Sequence, residues 1–311
     1  MNTLAAYRRA DGQVGVRNHL FTLPAVVCAN QVAIDVARRL PRLKYIEHQH
    51  GCAQIGADLL QTRRVFSRLA LHPNVYASMF VSLGCEAVVA KKLFEDTRKN
   101  AQKPLELVVI QDAGGTLAAE QQVEAWLQQR IQEADALVRE TVAWSDITVG
   151  VMGDGDLTGR GPVLTSILQA LSDLGARLVV PARHADALRR VAGDAPHTAW
   201  GDGSDAQAWV MEEGSNALET ATGLTAAGAH LIVHLADRPH GFGTPLAPVV
   251  RWSVNEQVYN RFYDDFDGQL VDELDVPRLM EQLSRVISGQ ETAAEQMGMD
   301  DFALYRIGPT V

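Results

Sequence analysis

The sequence predicts an α/β protein of two lobes, each a mostly parallel sheet covered by helices. Three observations carry that expectation. Short β-rich runs alternate with helical patterns four times in the first half, and a second series of strand and helix patterns starts near residue 148. The 311 residues, 47 % of them apolar, can bury one large core or two moderate ones. The boundary is placed to give a first lobe of 1–147, carrying a Cys/His site, and a second of 148–311.

"LFTLPAVV" (20–27) reads as a strand and "NQVAIDVARRL" as the helix after it. "YIEH" (45–48) precedes helical "QIGADLLQTRRVFSRLALH", and "VYASMFVSLG" (75–84) precedes "EAVVAKKLFEDTRKN". "LELVVIQD" (105–112) leads into a long helical stretch from Thr116 to about Glu140. In the second lobe "ITVGVMGDGDLTGRGP" is a strand with a Gly-rich turn, followed by the helix "VLTSILQALSDLG". "ARLVVPA" (176–182) and "HLIVHLA" (230–236) read as buried strands, with helical "AQAWVMEEGSNALETATGLTAAG" before the second. The loop "DRPHGFGTPLAP" (237–248) leads to "VVRWSV" (249–254), then to acidic "YDDFDG" (263–268) and a helix through "VPRLMEQLSRVISG".

The charge balance, 28 Lys plus Arg against 38 Asp plus Glu, argues against a general affinity for nucleic acid or for an anionic membrane. No apolar run is long enough to cross a bilayer, and "MNTLAAYRRADG" lacks the apolar centre of a secretory signal. A soluble cytoplasmic protein is expected. Three cysteines, an odd number, make a disulfide framework improbable in a reducing compartment.

In parallel sheets ligands collect beyond the carboxyl ends of the strands. Cys28, the run from His48 to Cys52, Cys85 and "QDAGGT" (111–116) all fall at such strand-to-helix junctions. In "EHQHGCAQ", His48, His50 and Cys52 occupy alternate positions, which share a face in extended chain, and Gly51 permits a sharp turn. Cys and His at that density suit Fe(II) or Zn(II), although H-x-H also occurs as ordinary strand decoration. "SLGCE" (82–86) adds a thiol and a carboxylate, Cys85 and Glu86. "YRRADGQVGVRNH" (7–19) packs Arg8, Arg9, Arg17, Asp11 and Asn18 with two glycines, a loop able to grip a small anion or an exposed arm with a "DGQ" turn. "MGDGDLTGRGP" (152–162), with Thr158, Arg160 and Gly161 before a helix, is like a Gly-rich anion loop without a Walker A or GxGxxG pattern. "ADRPHGFGTPLAP" offers Arg238 and His240 as a carboxylate grip, or is a structural turn. No GxSxG elbow is present.

Taken in order, "YRRADGQVGVRN", "PAVVCAN", "HGC", "GCE", "QDAGG", "ETATGLTAAGAHLIVH" and "GTPLAPVV" resemble the altronate/galactarate dehydratase family, which includes the large chain of sulfolactate sulfo-lyase. The similarity runs from about Tyr7 to Ile307. It implies loss of water, or of sulfite in the sulfo-lyase branch, from a 2-hydroxy acid to leave a 2-keto acid, generally with iron or another divalent metal. Arg9, Asp11, Arg17 and Asn18 stand in the family's N-terminal motif. Cys28, His50, Gly51, Cys52, Cys85 and Glu86 stand at its Cys/His positions, and Gln111, Gly114 and Gly115 in its central motif. Two departures are visible: the family's Cys-Gly-Gly-Ser-Asp stretch reads "MGDGD" here, and its late Gly-Arg-Gly loop reads "DRPHGFG".

The expected function is therefore a metal-dependent hydro-lyase turning a sugar acid or related 2,3-dihydroxy acid into a 2-keto-3-deoxy acid. The alternatives are a carbon-sulfur lyase on sulfolactate-like substrates and an inactive acid-binding relative. His48, His50 and Glu86 are the expected catalytic side chains, a histidine serving as metal ligand or as the base for the C2 proton. Arg9, Arg17, Asn18, Gly114, Gly115, Arg238 and His240 are expected to hold substrate, and His50, Cys52, Cys85 and Cys28 the metal. Fe(2+) is the expected ion, with a [4Fe–4S] cluster as the alternative. Expected partners are a hydroxy acid, a small subunit carrying a family domain absent here, and further copies of the chain in a homo-oligomer.

Overall fold

The computed structural model describes residues 3–52, 54–154 and 161–308. The first half runs β1 (Leu4–Arg8), β2 (Val14–Gly15), β3 (His19–Pro24), α1 (Asn30–Arg39), β4 (Leu43–Tyr45), α2 (Gly56–Ala70) and β5 (Val75–Ser82). It continues through α3 (Ala90–Arg98), β6 (Leu105–Val109), α4 (Ile110–Ala113), α5 (Thr116–Asp135) and β7 (Glu140–Val142). The second half runs β8 (Thr148–Gly153), α6 (Gly161–Asp173), β9 (Arg177–Pro181), α7 (Ala185–Ala192), β10 (His197–Thr198), β11 (Ala208–Met211) and α8 (Ala217–Ala226). After these come β12 (Leu231–Ala236), β13 (Val249–Ser253), α9 (Glu256–Arg261), β14 (Gly268–Gln269), α10 (Val276–Ile287) and α11 (Ala293–Gln296).

Both large sheets are parallel throughout, in the orders β4-β3-β5-β6 and β10-β11-β9-β8-β12-β13-β14. Parallel strands need helical crossovers and are covered on both faces, which is why β5, β8 and β12 are almost wholly buried and read as continuous apolar runs. Each order turns back on itself, between β3 and β5 in the first sheet and between β8 and β12 in the second. At such a reversal the two following loops diverge to opposite faces and leave a crevice beyond the strand ends.

The lobes are welded. One apolar cluster joins Phe21, Phe66 and Phe80 of the first to Trp200, Leu224 and Leu246 of the second. No helix among the described residues is long and apolar enough to cross a membrane.

Three predicted stretches differ. "AWVM" within the supposed helix 206–228 is β11, a buried central strand, and the helix is confined to Ala217–Ala226; an apolar run of four without polar relief satisfies a sheet interior better than a helix surface. The helix from Thr116 ends at Asp135, and the residues beyond supply β7. The N-terminal stretch 7–19 keeps the expected exposed turn at Asp11–Gln13 and is otherwise drawn into the fold. It enters a small antiparallel sheet, β2-β1-β7, whose Leu4, Ala6, Val14 and Val16 pack on the second-lobe core with Leu283 and Val286.

Candidate active site

Four junction loops of the first lobe meet beyond the carboxyl ends of β3, β4, β5 and β6, because parallel strands in one sheet end on the same side. Backbone bonds knit them. Val27 N–H donates to His50 O (2.9 Å), Val88 N–H to Gly51 O (3.3 Å) and Gln111 N–H to Leu83 O (3.3 Å). Gly51 has φ +105° where its loop crosses the one after β3; a Cβ there would lie 2.6 Å from Ala25 O and 2.7 Å from the Val26 Cα. Gly84, at φ +118°, leaves equivalent room for the Gln111 amide. Only glycine fits either place.

This knitting brings the three cysteines together. Cys28, Cys52 and Cys85 are all free and exposed, each from a different loop. The Cys52 thiol is pushed up by loss of solvent, then by the neighbouring Cys28 and Cys85 and by Glu86. Among the described residues no three His, Cys, Asp or Glu side chains are gathered tightly enough to hold one ion. Of the expected metal residues His50, Cys52, Cys85 and Cys28, the three thiols are the ones that neighbour one another. The three thiols sit on neighbouring loops, while the His50 ring faces Gln54, Asp58 and Arg306.

The two histidines separate in role although their rings lie side by side at 6.0 Å. His48 is consumed by the fold: Nε2 bonds to Pro24 O (2.7 Å), Nδ1 accepts from His50 N–H (3.1 Å), and the ring sits against Phe66. Burial pulls its pKa down to about 4, the Pro24 bond opposing. It is a structural residue, correcting the catalytic expectation. His50, also buried, has Nδ1 3.2 Å from the Gln54 amide nitrogen, which can only donate. That nitrogen has two hydrogens for three partners, His50 Nδ1, Asp58 Oδ2 and Thr62 Oγ1, so it orients the ring without fixing the tautomer. Burial first, then the charge of Arg306, lowers the His50 pKa, with Asp58 opposing, so the ring is neutral near pH 7.

Glu86 is likewise committed to shape. Its carboxylate takes the Ser82 hydroxyl and Gly84 N–H (2.8 Å), closing the loop that presents Cys85; these bonds outweigh the burial that would raise its pKa, and the net shift is downward. A carboxylate so bound is a poor catalyst, a second correction.

The expected substrate grip in the N-terminal motif is also overturned. A guanidinium has five N–H donors. All five of Arg17 are taken: Nε and Nη2 by Glu295 (2.7 Å each), Nη1 by Val16 O and Val286 O, and Nη2 again by Gln290 O. Arg9, buried, donates to Pro73 O, Asn18 Oδ1 and Arg17 O, and Asn18 donates to Ala134 O. Asp11 caps its own turn by accepting from Gln13 N–H. Gly114 (φ +96°) and Gly115 (φ +124°) do lie at the end of β6, leading into α5, next to the Gln111 that touches Gly84.

Arg238 and His240 lie elsewhere. Both are exposed and line a second cleft of about 400 Å³ beyond β8 and β12, with Asp154, Arg183, Asn216 and Thr220; no first-lobe residue lines it. Thr158 and Arg160 fall outside the described residues, and Gly161 begins α6. Beside this cleft is a pair that sequence reading missed: His234, fully buried on β12, has Nε2 3.3 Å from Asp154 Oδ2. The one signal was a histidine inside the apolar run "HLIVHLA". Also missed was Arg306, whose charge reaches His50 from the far end of the chain.

Residues 6–135 match the family domain described as "D-galactarate dehydratase/Altronate hydrolase, second domain", and residues 201–310 match "D-galactarate/Altronate dehydratase, C-terminal". The altronate dehydratase of Escherichia coli (strain K12) is 38 % identical over 90 residues, covering 26 % of this chain and 18 % of that one. The altronate dehydratase of Bacillus subtilis (strain 168) is 28 % identical over 185 residues, 55 % of this chain and 36 % of that one. The chain thus spans well under half the length of these two relatives. The (2R)-sulfolactate sulfo-lyase subunit beta of Chromohalobacter salexigens is 25 % identical over 391 aligned positions, covering 98 % of this chain and 97 % of that protein.

Proposed function

Because the chain belongs to the D-galactarate/altronate dehydratase family, we propose that it eliminates water from a sugar acid or related 2,3-dihydroxy acid to leave a 2-keto-3-deoxy acid. The observation that carries the reading is the meeting of three free thiols on loops knitted together where the first sheet reverses its strand order, with the His50 imidazole on one of those loops. Structural cysteines are usually buried; three exposed ones on three knitted loops form a donor set.

Cys28, Cys52 and Cys85 are soft donors that suit an iron–sulfur cluster with one iron left open or a single Fe(2+) ion. Such an iron, when bound, supplies Lewis-acid help to a departing hydroxyl. A lone Fe(2+) would take the same thiolates, with the His50 Nε2 available as a further donor while Nδ1 stays on Gln54. His50 contributes a neutral imidazole, the base that takes the C2 proton and returns it to the departing hydroxyl, which leaves as water. Gln54 orients the ring, and His48 and Glu86 hold the loops.

Elimination of sulfite from sulfolactate is the second reading, favoured by the end-to-end match to the sulfo-lyase subunit. A small partner subunit belongs to this proposal, as does assembly of several copies. The test is trapping of keto acid from a panel of sugar acids and sulfolactate with anaerobically purified protein, alongside iron and acid-labile sulfide assays. Product from a sugar acid supports the hydro-lyase, and product from sulfolactate alone the sulfo-lyase. No product from any acid, even with a small subunit added, leaves an acid-binding relative without turnover. Iron without sulfide would remove the cluster.

A further inference from the structure

A substrate acid needs a cation at its carboxylate, and the arginines of the N-terminal motif are spent. The C-terminal segment supplies another. After α11 the chain leaves the second lobe and runs over α2: Ala303 N–H donates to Thr222 Oγ1 (3.4 Å), Leu304 is buried, and the Tyr305 ring lies 5.9 Å from that of Trp200. Gln61 then donates to Tyr305 O (2.7 Å), and Ile307 N–H donates to Asp58 Oδ1 (3.2 Å). The other Asp58 oxygen accepts from the Gln54 amide (3.0 Å), the same amide that faces His50. Arg306 therefore sits between two pinned residues, one short relay of hydrogen bonds from the site imidazole. It is exposed, and it makes no ion pair or hydrogen bond with any described residue.

We propose that Arg306, carried across from the second lobe by the C-terminal segment, is the guanidinium that takes the substrate's carboxylate beside His50. This rests on the acid-lyase reading above and adds to it a bipartite site. The thiols and His50 come from one lobe and the anion anchor from the other. Three features favour the role. The side chain is not internally compensated, its backbone is fixed on both sides so little freedom is lost on binding, and a planar guanidinium can grip a carboxylate through two parallel bonds.

Calorimetric titration of the anaerobically purified full chain tests it, with galactarate and sulfolactate as acid probes and galactitol as the uncharged control. The wild type is expected to bind at least one acid more tightly than galactitol. Arg306→Gln should weaken that acid about 10-fold or more while leaving galactitol binding and the melting temperature unchanged, and Arg306→Lys should recover part of the loss. Asp58→Ala, which releases Ile307, should weaken acid binding in the wild type and add nothing in Arg306→Gln. Unchanged acid affinity in Arg306→Gln, equal loss of acid and galactitol, or no acid binding by the wild type would each overturn the assignment. Arg306-dependent binding without turnover of any acid would remove the proposed reaction and leave the anchor standing. Turnover retained in Arg306→Gln with unchanged KM would do the reverse.

Discussion

Replacing Glu295 by Gln tests whether the N-terminal motif serves the fold or the substrate. Arg17 precedes β3, and Glu295 stands on α11, 278 residues away in sequence; the two form a bidentate pair with both N–O distances at 2.7 Å. The Arg17 side chain is 9 % exposed and that of Glu295 17 %. Gln keeps the size but turns one acceptor into a donor facing a guanidinium, leaving a buried positive charge with carbonyls alone. Removing one partner of a buried pair costs about 3–5 kcal/mol, and the residual exposure of Glu295 sets the expectation at about 3 kcal/mol. That lowers the melting temperature by roughly 5 °C for a chain of this size.

The sign of the pH dependence follows from the Glu295 pKa. Burial raises it, but the Arg17 bonds and charge outweigh burial and hold it below the ordinary value. A depressed carboxyl stabilises the fold above its unfolded pKa, about 4.3, and that stability is lost as pH falls through the folded value. The gap between wild type and Glu295→Gln should thus be full at pH 7 and shrink below about pH 4. Urea denaturation at several pH values measures it. A gap under about 0.5 kcal/mol at neutral pH, the usual size for a surface substitution, would refute the structural role. So would an Arg17→Lys variant of undiminished stability whose only defect is a raised KM.

Four other outcomes are expected. Gly51→Ala places a methyl against Ala25 O and the Val26 Cα in a left-handed conformation, so it should cost about 2–4 kcal/mol and lower the iron bound per chain, read by denaturation and metal analysis. His48→Ala should lose about 1–3 kcal/mol, since His50 N–H and Pro24 O lose their partner, whereas His50→Ala should keep most of its stability and lose kcat by about 100-fold or more. Serine at Cys28, Cys52 or Cys85 should each deplete iron and sulfide together; depletion by only one of the three would dissolve the triad. Lys103→Met should destabilise by about 2 kcal/mol, because the ammonium accepts no substitute in bonding to Leu71 O, His72 O and Val75 O, and unfolding midpoints will show it.

What could be read in the sequence, and what could not, divides by the range of the interaction. The junctions carrying Cys28, Cys52 and Cys85 were legible because a parallel sheet puts every strand's carboxyl end on one side, so locating the strands already located the loops. Even the alternation of His48 and His50 did its local work, leaving the rings side by side although β4 ends at Tyr45. The roles of those same residues were not legible, because a polar group is free or spent according to partners that no local pattern announces. Arg17 looks like an anion grip until Glu295 meets it from α11, and Arg306 looks like an unremarkable tail residue until Asp58 and Gln61 fasten its neighbours to α2. The same reasoning separates His48 from His50: Pro24 O occupies one ring, while Gln54 only orients the other. In a two-lobed chain whose core runs through both lobes, the chemistry-bearing residue types are thus set locally, but which of them remains available to a ligand is decided by contacts hundreds of positions away.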